Sequence, residues 1–305
     1  MPESTIFSDT FLAMGAPCDV VLPEVESTFA KEIFQKIKTE IEQLENNISR
    51  FSTLSAIWKV NNTPKDEWIP VSLETWEILK ICKDFFEMSN GAFDITTAPL
   101  SSLWTENETP TIEEIENAKE KCGFDKIELD EDNKSIRFTA DDMELDFSAI
   151  EKGFALDILK PMLIDMGVKN AIISFQEEAV LALGNHPGGD VWPLGIRNQK
   201  KPMEFNHVFP TSNQSVVTAG TVFIRDDGEG IQKRQIISPA TGTLIEGDKT
   251  VSVKSESATM GAFISTIWLI LPENDKEILA GNFENIEIME VDYLEDDIRT
   301  KLSIF

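Results

Sequence analysis

The sequence predicts an α+β fold, with mixed or antiparallel sheets flanked by helices. Three observations carry that expectation. Helical and strand-like segments alternate along the chain, and many of the strands read as hairpins. The apolar period switches at one place: Met143, Leu145 and Phe147 alternate with polar neighbours, whereas Ile150, Phe154, Ile158 and Met162 recur every four residues. No internal repeat and no low-complexity linker divides the 305 residues. The expectation is therefore a single domain over 5–295, built as two closely joined lobes.

Taken in order, residues 4–23 read as two strands around Gly15-Ala16-Pro17. Phe29, Ile33, Ile37, Ile41 and Leu44 then mark one face of an amphipathic helix. A second helix spans about 72–89 and stops at Asn90-Gly91. Thr111 with Glu114 is a capping-box pattern that opens a short helix ending near Cys122-Gly123. Strands are expected near 126–130, 134–139 and 142–147, followed by a long helix to Met166-Gly167 that Pro161 should kink or shorten. Further strands are expected at 169–175, 179–184, 191–197, 215–218, 233–238 and 249–254. The loops 185–190 and 226–230 carry turn chemistry. A helix at 257–271, a strand near 285–291 and a weaker candidate at 296–304 close the chain.

Composition excludes several classes. A net charge of −27 repels nucleic acid and anionic membranes, and any phosphate ligand entering such a field needs a local cation or metal. The most apolar stretch, Ala262 to Leu271, is half a membrane span and is interrupted by Ser265 and Thr266. The N-terminal residues show no export signal, so a cytoplasmic location is expected. The 3 cysteines are odd in number and widely spaced, which argues against disulfides and a zinc site. His186 and His207 have no partner at metal spacing and read as structural or exposed.

The run from Asp146 to Asp157 carries the strongest chemical signal. A strand ending in a carboxylate runs through small residues into a helix that opens with Lys152 and Gly153. The exposed N–H groups of such a junction suit an anion such as a diphosphate, although the same junction is also ordinary αβ architecture. Gly91-Ala-Phe-Asp-Ile-Thr-Thr-Ala-Pro-Leu100 with Trp104, and Asp146 to Ala155, resemble segments of the ApbE-like FAD:protein FMN transferases. So do Phe11 to Gly15, Ser49 to Phe51 with Ser55 and Asn61, Trp192 to Arg197, and Ile236 to Gly242, all in the family's order.

The resemblance implies the ApbE-like fold and a reaction in which magnesium engages the diphosphate of FAD. The FMN half then passes to a Ser or Thr of a target protein, and AMP leaves. It further implies that Met14, Phe51, Ala92, Phe93, Asp94, Asp146, Lys152 and Ile237 line the flavin nucleotide site, with the Ala149 carbonyl and the Thr266 hydroxyl on the metal. Three departures stand out. Ala262 occupies the family's aspartate position one helical turn before Thr266, so the donors left are neutral, a poor set for a hard cation. Glu177-Glu178-Ala179 stands where the family has Gly-Gly-Asp, and either glutamate is a candidate to replace the missing carboxylate. Gln235 to Pro239 replaces His-Ile-Ile-Asp-Pro. The expectation is thus a transferase whose activity is weak or lost. The alternative is an inactive nucleotide-binding or scaffold protein of the same fold, and a hydrolase splitting FAD needs the same metal.

Overall fold

The computed structural model describes residues 6–176, 178–224, 230–295 and 297–305. Its frame is an eight-stranded sheet of β1 (Ile6–Ala13), β2 (Ala16–Pro23), β6 (Ala171–Phe175), β7 (Ala179–Leu183), β10 (Gln214–Gly220), β13 (Lys249–Ser255), β14 (Glu287–Tyr293) and β15 (Ile298–Ile304), in that spatial order. Every registered strand pair among the described residues is antiparallel, so of the mixed or antiparallel sheets expected, the antiparallel form is the one present. The β1–β2 turn consists of Met14 and Gly15, with φ of 49° and 71°. Two successive residues in the left-handed region match the twist that a two-residue hairpin needs.

One face of this sheet is covered by helices. α1 (Ser27–Ile48) buries Ile33, Ile37, Ile41, Leu44 and Ile48, the stripe its period predicts. Each such side chain contributes about 1.5–3 kcal/mol on leaving water. α2 (Ala56–Asn61), α3 (Leu73–Met88), α4 (Ala98–Glu106) and α5 (Ile112–Lys119) follow, with a small sheet of β3 (Ile69–Pro70), β5 (Ser135–Phe138) and β4 (Ile127–Asp130). α3 ends as expected: Gly91, at φ 80°, donates its N–H back to the Phe86 carbonyl at 2.8 Å. The capping box at Thr111 and Glu114 is present in both directions.

α6 (Glu151–Asp165) and α7 (Ala258–Ile270) pack against each other beneath the sheet, and Phe154, Leu159, Phe263 and Ile267 belong to one continuous core. β8 (Trp192–Arg197) and β9 (Phe205–Thr211) form a separate hairpin, as do β11 (Val222–Ile224) and β12 (Ile231–Lys233). α8 (Glu273–Ala280) precedes β14.

Several sequence expectations are corrected. Residues 142–147 form no strand. Met143, Leu145 and Phe147 are buried alternately, but the backbone is held by a side chain, Leu145 N–H donating to Asn61 and Leu145 C=O accepting from it at 2.9 and 3.0 Å. α6 is not shortened by Pro161, since it runs on to Asp165. Its buried stripe is Phe154, Ala155, Leu156, Leu159 and Leu163, because a 3.6-residue period drifts away from Ile158 and Met162. The 233–238 strand reduces to the end of β12 and an isolated bridge of Ile237 to Leu244. Most of the 226–230 loop, like Glu177, lies outside the described residues.

Candidate functional site

A cleft of about 490 Å³ opens where separate stretches of chain meet at the sheet. The β1–β2 turn brings Met14, whose N–H donates to Glu45 at 3.1 Å and so ties the turn to the end of α1. Just beyond α1, Arg50 and Phe51 stand on the rim, with the guanidinium 4.7 Å from the Phe51 ring centre. Phe51 is 79% exposed, an aromatic face open to a ligand. The segment after α3 supplies Ala92, Phe93 and Asp94, and the entry to α6 supplies Asp146, Ala149, Glu151 and Lys152. Arg234 to Ile237 and the α7 residue Thr266 complete the wall.

Hydrogen bonds fix the carboxylates. Asp146 donates its N–H to the Ile95 carbonyl at 2.7 Å, joining two of the retained segments, and its Oδ1 accepts from the Ser148 N–H at 2.9 Å. Its other oxygen lies 3.3 Å from the Arg50 Nε, and Arg50 also reaches Glu144 at 3.3 Å. Asp94 accepts from the N–H and hydroxyl of Thr96 at 2.8 and 2.7 Å. Burial pushes the Asp94 carboxyl above its ordinary range despite those bonds. Glu151 goes further: burial, aided by Asp146, Glu45 and Glu178 and opposed by Lys152, pushes it up to about 7.

The structure brings together every residue that the resemblance assigns to the flavin site, though not in equal roles. Phe93 is 2% exposed and its ring sits edge-on to Phe85 and Phe263, so its side chain is core although the residue borders the cleft. Ile237 likewise anchors a small cluster with Leu100 and Ile115. Gln235 lines the cleft and donates to the Trp104 carbonyl at 3.1 Å. Sequence reasoning overlooked Arg234. Of the two glutamates it named, Glu177 lies outside the described residues, and Glu178 stands in the β6–β7 turn with Arg234 at 2.6 Å on one oxygen and Lys152 on the other. Burial alone would raise Glu178, but these two cations hold it below the ordinary range.

The residues at the implied magnesium position do not fit that ion. Ala149 and Thr266 offer neutral oxygens, and Ala262 is a core methyl, 3% exposed. Glu178 is committed to Lys152 and Arg234. Among the described residues, no three His, Cys, Asp or Glu side chains converge as a ligand set. Magnesium binds through carboxylate and phosphate oxygens in near-octahedral geometry, which this donor set does not supply.

An antiparallel α+β frame with a concave cleft, polar along its walls and aromatic at its rim, is the setting of a small-molecule site. The ApbE family model matches residues 14–289, and the chain belongs to that family. It is 27% identical over 277 residues to the FAD:protein FMN transferase of Chlamydia muridarum, covering 87% of this chain and 84% of that one. The Escherichia coli enzyme of the same name is 24% identical, with 87% and 79% covered. Among solved structures, the flavin transferase ApbE from Vibrio cholerae superposes with a TM-score of 0.84 at 19% identity, covering 98% of this chain and 97% of that one. The ApbE protein from Thermotoga maritima gives 0.83 at 23% identity, with 97% and 96% covered. No described helix is long and apolar enough to cross a membrane.

Proposed function

We propose that the cleft binds FAD and that the chain transfers its FMN portion to a Ser or Thr hydroxyl of a protein, releasing AMP. One observation supports this above the others: Phe51, Ala92 to Asp94, Asp146 to Ala149, and Glu151 with Lys152, far apart in sequence, line a single cleft. In the reaction the acceptor oxygen forms a bond to the FMN phosphorus as the bond to the AMP oxygen breaks. The hydroxyl proton passes to a carboxylate of the cleft wall, and AMP leaves as its phosphate.

The chain's own groups divide that work. Phe51 gives the flavin an aromatic face, and the carboxylates beside it accept from ribityl or ribose hydroxyls. Lys152 and Arg234 oppose the charge that gathers on the diphosphate. With Ala262 in place of a carboxylate, the reaction is expected to be slow. The test is incubation with FAD and a protein carrying a flavinylation-type Ser/Thr motif, followed by mass spectrometry for covalent FMN and chromatography for AMP. Covalent flavin with matching AMP supports the reading. FAD that binds and is recovered intact, with no acceptor labelled, leaves a nucleotide-binding protein and overturns the transferase assignment.

A further inference from the structure

The cleft belongs to a chain of net charge −27, and its walls carry more carboxylates than cations. An anionic ligand entering there needs positive charge built into the wall. Arg50 is spent on Glu144 and Asp146. Lys152 and Arg234 are placed differently, because they share one carboxylate. Glu178 Oε1 takes the Arg234 guanidinium at 2.6 Å and Oε2 takes Lys152. The trio therefore carries one surplus positive charge at the cleft wall.

The geometry is also rigid. Glu178 is fixed through its backbone, donating to the Phe175 carbonyl at 3.1 Å and accepting from the Thr218 N–H at 2.8 Å. The Arg234 guanidinium lies 4.2 Å from the Phe223 ring centre, and the Arg234 backbone N–H donates to the Thr221 carbonyl at 2.9 Å. Side-chain exposures of 15% for Lys152 and 16% for Glu178 against 36% for Arg234 leave the guanidinium as the accessible member. A guanidinium has five N–H donors, so pairing with Glu178 leaves it able to reach phosphate oxygens as well.

We propose that the Lys152–Glu178–Arg234 trio is the diphosphate seat of this cleft and takes the place of a divalent ion, so that the nucleotide binds without metal. This rests on FAD being the ligand, as proposed above. Lys152 and Arg234 contact the phosphate oxygens, and Glu178 holds both cations in register. The same arrangement accounts for the cleft's weak metal donors: the countercharge comes from side chains.

The experiment is titration of the full chain with FAD and with riboflavin, which has no phosphate, in excess EDTA and in excess magnesium, followed by flavin fluorescence. FAD affinity is expected to agree within about twofold between the two buffers, and Arg234→Gln to weaken FAD about tenfold while leaving riboflavin unchanged. FAD binding that requires magnesium overturns the proposal, as does Arg234→Gln binding FAD like the native chain or weakening both flavins alike. If neither flavin binds in either buffer, the FAD reading itself fails, and the seat with it. Should Arg234→Gln not fold, the EDTA comparison on the native chain decides alone.

Discussion

A single methyl group at residue 153 tests the packing that positions the cleft. Gly153 lies in the first turn of α6, and a Cβ built on it would stand 2.6 Å from the Ala258 carbonyl oxygen, 2.9 Å from its carbon and 3.1 Å from the Thr259 nitrogen. All three are backbone atoms of α7, so no side chain can swing aside. Separating the helices also strains the cap in which Asp157 accepts from the Ser257 hydroxyl and from the Ala258 and Thr259 N–H groups at 2.6, 2.8 and 2.9 Å. Overpacking costs about 1–3 kcal/mol, and a clash with fixed backbone atoms falls in the upper half of that range, about 2–3 kcal/mol, of which the better helix propensity of alanine returns about 1 kcal/mol. Gly153→Ala should therefore lose roughly 1–2 kcal/mol. With an unfolding entropy of about 2.1 cal/mol/K per residue, that is a fall in Tm of about 2–3 °C for a chain of 305 residues. Differential scanning calorimetry reads it directly. A variant as stable as the native chain, or more stable, would refute the close approach of α6 and α7 and with it the placement of Thr266 beside the entry to α6.

Two further outcomes follow from the cleft. Glu151 is raised from an ordinary 4.5 to about 7, so the native state holds its proton more tightly than the unfolded chain does. Its burden on stability is absent below the ordinary value, grows as pH rises through that window, and reaches about 3 kcal/mol above pH 7. Urea unfolding of Glu151→Gln should gain on the native chain by that amount between pH 4.5 and 7.5, and parallel curves would contradict it. Ala262→Asp places a carboxylate in the core one turn before Thr266. It should lower the Tm in EDTA and recover part of the loss in magnesium, while the native Tm ignores the ion. No magnesium response in the variant would show that the missing carboxylate is not what weakens metal binding.

Much of the frame was legible in the sequence because its signals are local. The period of α1, the Asn90-Gly91 stop of α3 and the capping box of α5 each act within a few residues. The alternation at 143–147 misled because burial alternates there without a neighbouring strand; Asn61 supplies the hydrogen bonds that a ladder would. β9 escaped notice since Pro210 breaks a strand pattern, yet it faces Pro193 across a two-stranded ribbon in which neither ring displaces a central ladder. α8 is short and polar on most faces, so its sequence carries little helical contrast. The cleft residues carried by the ApbE-like segments were legible through those motifs. Arg234 was not, because its meaning depends on Glu178 and Lys152, which approach it only through the sheet and α6.

What neutralises the diphosphate is measured most directly by a crystal structure of the chain grown with FAD and magnesium. The expected result is FAD in the cleft with its diphosphate oxygens within hydrogen-bonding distance of Arg234 and Lys152. A magnesium ion held between the diphosphate, the Ala149 carbonyl and the Thr266 hydroxyl, with Arg234 still turned onto Glu178 alone, would contradict it.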